Sequence, residues 1–179
     1  MTGLDPAAAA SAPEEMARAG EMHHVAMSVA DIEKSIVFYR DGLGLRKTLD
    51  MEIGNEATWR GLRIPPGSKG RAVYFQGPRR VGQLEVIQWN IPAPQSSQPK
   101  RPGNPGVFSL SFDVKRAAVD EIYARLVEMG VDCYTPPETN VLQNYGPIAR
   151  FLCEDPDRVM VEIISLPTDE EVRKFRSAG

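Results

Sequence analysis

The chain has 179 residues, 42% of them apolar, with a net charge of −3 and two cysteines. That length suits one compact domain or two small units sharing a core, and the charge excludes a nucleic-acid or acidic-membrane surface as the basis of function. No run approaches the ~20 apolar residues that a bilayer span requires, and two cysteines, Cys133 and Cys153, fit a reduced, cytoplasmic protein.

Residues 1–20 are rich in alanine with proline and acids. They lack a basic start before an apolar block, so they read as a disordered tail and not as a secretory signal. Residues 22–29 alternate as a strand. His24, Ala26 and Ser28 share one face, and Val25, Met27 and Val29 share the other with His23. A slip of one residue would exchange His23 and His24. Asp31 is a helix cap, Ile32, Ile36, Phe38 and Tyr39 form an apolar stripe to about Arg40, and Gly42 and Gly44 end it. The helix covers the Val/Met face, so His24 points to a more polar one.

Further strands are expected near residues 45–51, 57–64, 71–76 and 83–89, with turns at Pro65-Pro66-Gly67 and at 78–82. In QLEVIQW, residues 83–89, Glu85 shares a face with Ile87. Residues 91–105, rich in proline and serine, read as a linker. The pattern then repeats. Ser109–Val114 matches His24–Val29 position by position in apolar and polar character, and a helix over 116–129 ends at Gly130. Strands are expected at 131–134, 149–153 and 159–165, a loop at 135–145, and a short charged helix at 168–176 within a terminal segment, 167–179. The units are therefore 21–90 and 106–166. The fold class is α+β: paired βαβββ modules forming a cupped, barrel-like mixed sheet with helices outside.

Equivalent positions on these strands carry the chemistry. His24 and Ser109 lie on the first strands of the two units, and Glu85 and Glu162 on the last. A carboxylate inside an apolar strand is costly to bury unless it is paired or bound to a cation. Two carboxylates and an imidazole converging in one cup make a site for a divalent cation. The ordinary alternative is a solvent-facing glutamate with a salt bridge, and a strand histidine that ligates nothing. Tyr145 and Arg150 precede Glu162. Arg150 has the fork to hold a substrate carboxylate or phosphate, or to make a surface salt bridge.

The run His24–Val29, the segment Phe38–Leu45 (FYRDGLGL), Leu84-Glu85-Val86, and Phe151–Asp157 leading to Val161-Glu162-Ile163 resemble the vicinal oxygen chelate superfamily. That superfamily holds glyoxalases, epimerases, extradiol dioxygenases, and fosfomycin-resistance and bleomycin-binding proteins. The resemblance covers about residues 21–166. It implies paired βαβββ modules and a divalent metal (Zn, Ni, Mn, Co or Fe) held by His24, Glu85 and Glu162. It also implies a small-molecule substrate and a homodimer, with no nucleic-acid or membrane partner. Two positions depart from the family pattern: Ser109, where a fourth ligand is often histidine, and Arg158, where glycine usually follows Asp-Pro-Asp. One histidine with two carboxylates is closer to the glyoxalase and epimerase branch than to the two-histidine set of the dioxygenases. The expectation is a metal-dependent lyase or isomerase moving a proton next to a carbonyl, with Glu162 or Glu85 as the proton carrier and the other on the metal. Ser109, Tyr145 and Arg150 are the candidates for binding substrate. The alternatives are an Fe(II) extradiol-type dioxygenase and a non-catalytic protein of the same fold that binds a small ligand or drug.

Overall fold

The structure, a computed structural model, describes residues 19–91, 101–103 and 105–177. The expected tail (1–20) and linker (91–105) lie largely outside the described residues. The first unit runs β1 (His24–Ser28), α1 (Ile32–Ile36), a π-helical turn (Val37–Gly42), β2 (Arg46–Ile53), α2 (Glu56–Leu62), β3 (Gly70–Gln76) and β4 (Gln83–Trp89). The second runs β5 (Ser109–Asp113), α3 (Arg116–Glu128), β6 (Glu138–Leu142), β7 (Gly146–Glu154) and β8 (Met160–Ser165), and is followed by α4 (Asp169–Ser177). Each unit forms one four-stranded sheet, in the orders β1-β4-β3-β2 and β5-β8-β7-β6. The first strand is parallel to the last in both. The repeat read in the sequence is thus a repeat of topology, and the class is α+β. The sheets do not close into one barrel; each keeps its own edges.

Local chemistry explains the first helix. The Asp31 carboxylate accepts from the Glu33 and Lys34 amides at 3.1 and 3.2 Å, filling donors that a helix start leaves open. Past Ile36 the helix widens. The Leu43 amide reaches back to the Phe38 carbonyl at 3.0 Å, a π-type spacing. The widening lets two consecutive aromatics, Phe38 and Tyr39, both be buried.

The helices of the two units meet each other as well as their own sheets. A Cβ built on Gly42 would stand 2.8 Å from Leu126 Cδ2 of α3, so any larger residue there would have to displace the Leu126 side chain. Arg125 on α3 donates to the Gly42 carbonyl at 2.9 Å. One core runs through both units, joining Ile36, Tyr39, Phe75 and Val86 to Val119, Leu126, Phe151 and Val161.

Three expectations are corrected. Residues 57–64 are mostly helix, not strand: Asn55 caps α2 by accepting from the Thr58 amide at 3.0 Å. Residues 131–134 make only a bridge, Cys133 to Cys153. The strand that pairs with β7 is β6, inside the segment read as a loop, and every residue of β6 is exposed. Arg158, at the position where the family pattern has glycine, carries φ +64°, a left-handed conformation that glycine adopts without strain.

On the outer strand β2, Asp50 lies between Arg71, at 2.8 Å, and Lys47, at 2.9 Å. Hydrogen bonds from Arg71, then from Lys47, hold its carboxyl well below the usual carboxylate range. A depressed folded value stabilises the fold above the unfolded value, 3.8, and that contribution is lost as pH falls below it. Asp50→Asn should therefore be less stable than wild type at neutral pH. The gap between their urea midpoints should narrow as pH drops through and below 3.8.

Candidate functional site

Alternation along β1, β3 and β4 sends Val73, Phe75, Leu84 and Val86 into the core and His24, Tyr74 and Glu85 to the opposite face. The register then brings the second set together. Glu85 lies directly across from Ala26 on β1 and from Tyr74 on β3, with His24 opposite Gln83. His24 Nε2 is 3.3 Å from Glu85 Oε2. The Tyr74 hydroxyl donates to Glu85; burial first, and that hydrogen bond next, push the phenol up to about 12. The Tyr74 and His24 rings meet edge-on with centroids 5.6 Å apart. Glu85 is 8% exposed and has no lysine or arginine partner among the described residues.

His23 and His24 touch through their Nδ1 atoms at 2.8 Å. One of these nitrogens must carry the proton and the other accept it. When His24 donates from Nδ1, its Nε2 lone pair is free beside Glu85. An outer acceptor of this kind is what orients a metal-bound imidazole. A hollow of about 360 Å³ beside the cluster is lined by His23, Tyr74, Gln83 and Arg80, among others.

The second sheet repeats the arrangement with different partners. Glu162 on β8 lies across from Ser111 on β5, as Glu85 lies across from Ala26. The Ser111 hydroxyl donates to Glu162 Oε2, and Arg150 on β7 donates to Oε1 at 2.8 Å. A guanidinium therefore stands where the resemblance put a metal ion.

The expected residues are thus partly assembled. His24 meets Glu85, and Arg150 meets Glu162. Ser109 is one position away from the useful hydroxyl on the same face: it pairs with Met160, and Ser111 is the serine that reaches Glu162. Tyr145 lies in the β6–β7 turn, where its amide donates to the Leu142 carbonyl at 3.1 Å, and it has no contact with Glu162 in the structure. Among the described residues no three His, Cys, Asp or Glu side chains are grouped closely enough to hold one metal ion. The convergence of His24, Glu85 and Glu162 in a single cup is therefore not found within one chain. Tyr74 and Ser111 were missed. Both follow from cross-strand register, which single-strand alternation does not supply.

The donor set still fits a metal in part. An imidazole with a free Nε2 and an adjacent shielded carboxylate are two ligands of the right chemistry, and they need further oxygens to complete a shell. No described helix is long and apolar enough to cross a membrane.

The fold has many solved counterparts. A glyoxalase family protein from Bacillus cereus superposes with a TM-score of 0.70 at 15% identity, over 86% of this chain and 99% of that one. A glyoxalase/dioxygenase from Nostoc punctiforme gives 0.58 at 22% identity, over 88% and 97%. A genomically encoded fosfomycin resistance protein from Listeria monocytogenes, in complex with Mn(II) and sulfate, gives 0.53 at 15%, over 87% and 98%. No curated protein matches the sequence. A family model matches residues 21–163, a span that begins before β1 and ends within β8. The chain belongs to the glyoxalase/bleomycin resistance protein/dioxygenase superfamily.

Proposed function

We propose that this protein is a metal-dependent lyase or isomerase that moves a proton at a carbon next to a carbonyl of a small, oxygen-bearing substrate, with each site completed by two copies of the chain. The observation that carries the reading is Glu85, a shielded carboxylate that accepts from a phenol, stands 3.3 Å from the His24 Nε2 and has no lysine or arginine partner among the described residues. Such a group calls for a cation or a proton. The structural relative from Listeria monocytogenes is in complex with Mn(II).

His24 Nε2 and Glu85 are the ligands offered by the first sheet. The oxygen-bearing face of the second sheet, with Glu162, would come from the other copy of a homodimer, because both faces lie opposite their own helices and no triad forms among the described residues of one chain. A divalent cation bound there supplies Lewis-acid stabilisation of the charge that develops on the substrate oxygen. Tyr74 keeps Glu85 oriented. Glu162 is the proton carrier, and Arg150 bonds its carboxylate until a substrate carboxylate or phosphate draws the guanidinium away. Ser111 fixes the carboxylate in position. Small-molecule turnover in this form fits a cytoplasmic enzyme.

The test is solvent deuterium exchange into small 2-hydroxycarbonyl compounds by the metal-loaded protein, with metal content measured in parallel. Exchange should depend on added metal, and His24→Ala and Glu162→Gln should each lose it by about 100-fold or more. Wild-type levels of exchange and metal in both variants would refute the reading. The Arg150–Glu162 ion pair favours a second reading, a non-catalytic binder of small ligands: tight 1:1 binding without any exchange would select it.

A further inference from the structure

A second cavity lies away from the His24–Glu85 cluster, at the junction between the two units. It measures about 1010 Å³ and lies between the β3–β4 turn and the start of α3. Neither His24, Tyr74, Glu85 nor Glu162 lines it. Its size is that of a site for a sizeable small molecule.

The internal repeat explains why the space is open. The β7–β8 turn of the second unit is acidic and is docked onto the first unit. Asp155 accepts from the Tyr39 hydroxyl at 2.7 Å, and Asp157 accepts from the Ala30 amide at 2.9 Å. The equivalent turn of the first unit, β3–β4, faces the start of α3 in the second. It carries Arg79 and Arg80 where the other turn is acidic, and Arg79 lines the cavity together with Lys115 and Arg116. Like charges face each other across this junction, so the turn does not close over it.

The lining has two parts. Leu45, Phe112 and Leu166 are partly or well exposed and make an apolar wall. Arg46, Arg79, Lys115 and Arg116 make a cationic rim, against Asp113 and Glu171. Asp113 accepts from the Leu166 amide and Glu171 from Thr168, neutral donors that leave both charges in place, so the rim carries four cationic side chains against two acidic ones. Arg79 and Lys115 have no carboxylate partner among the described residues.

We infer that this junction cleft binds a small anionic amphiphile, a carboxylate with an apolar chain or ring. Its head would lie between Arg79 and Lys115, and its body against Leu45, Phe112 and Leu166.

The test is calorimetric titration of the full chain with sodium decanoate and with decyltrimethylammonium, which pairs the same alkyl chain with a cationic head. Decanoate should bind saturably at one site per chain, and the cation should not. Reversing both charges (Arg79→Glu with Lys115→Glu) should weaken decanoate by about tenfold or more, because the head loses both cationic partners. Both positions are exposed, and an unchanged thermal midpoint certifies that the variant is folded. His24→Ala should leave decanoate affinity unaltered, which separates this cleft from the His24–Glu85 face. Failure of decanoate to saturate, equal binding of the cation, affinity unchanged by charge reversal, or loss of binding in His24→Ala would each overturn the assignment.

Discussion

Glu85→Gln should abolish metal-dependent proton exchange while leaving the fold intact. The substitution keeps the shape of the side chain and an oxygen for Tyr74 to bond, but removes the charge that His24 faces at 3.3 Å. Losing a positioned acid–base or ligand group costs about 10²–10⁴ in rate. Affinity for the divalent metal should fall by at least about 100-fold, more than the 10–100-fold typical of losing an outer partner. Tyr74→Phe is the graded control. It removes only the orienting hydrogen bond, so the loss should be about tenfold and carried mainly by metal affinity. Metal titration followed by intrinsic fluorescence, together with exchange rates, checks both. Equal losses in the two variants would move the essential group from Glu85 to the phenol.

Asp155→Ala should be the most destabilising single change at the junction between the units. The carboxylate is 4% exposed. It accepts from the Tyr39 hydroxyl at 2.7 Å, the Asp157 amide at 3.0 Å and the Val159 amide at 2.8 Å. Truncation leaves the buried Tyr39 hydroxyl and the two half-buried amides without this partner, at about 3 kcal/mol in a urea titration. Asp155→Asn retains an acceptor oxygen and should cost less. The pH dependence runs opposite to that of Asp50. Burial raises the Asp155 carboxyl above its ordinary 3.8, against the opposing pull of its hydrogen bonds. A raised folded value gives stability that is complete below 3.8 and lost as pH rises through the folded value. The gap between wild type and Asp155→Asn should therefore widen on acidification, where the gap for Asp50→Asn narrows.

The parts of the fold that could be read from the chain are those where one face of an element is buried. β1 and β8 alternate cleanly because one side meets the core, and α1 announces itself through Asp31 and its apolar stripe. β6 could not be read because neither face is buried; Glu138–Leu142 has no hydrophobic period to detect. α2 was misread as a strand although Asn55 and Glu56 are ordinary helix-start residues. Gly61 weakens its interior, and Arg63 ends it in a left-handed conformation at φ 54°, where glycine would be the usual signal.

The site was legible to the same degree. His24, Glu85 and Glu162 were visible as polar residues on otherwise apolar strands. Their partners were not, because Tyr74 and Ser111 are chosen by which residue of a neighbouring strand stands opposite. That choice depends on register, set by turns and bulges such as the shift between Lys47 and Leu49. Nor does a single chain's pattern say whether two repeated units turn their polar faces toward each other or apart. Helix contacts decide that here, through Gly42 against Leu126 and Tyr39 against Asp155.

Subunit mixing is the most direct test of a site shared between copies. Homodimers of His24→Ala and of Glu162→Gln are each expected to be inactive. Exchanging subunits between them makes mixed dimers in which one site carries both lesions and the other carries neither. Statistical mixing of a twofold dimer should then restore about a quarter of wild-type activity. If mixing restores nothing although mixed dimers form, the two lesions lie in one chain's own site and the shared-site account is wrong.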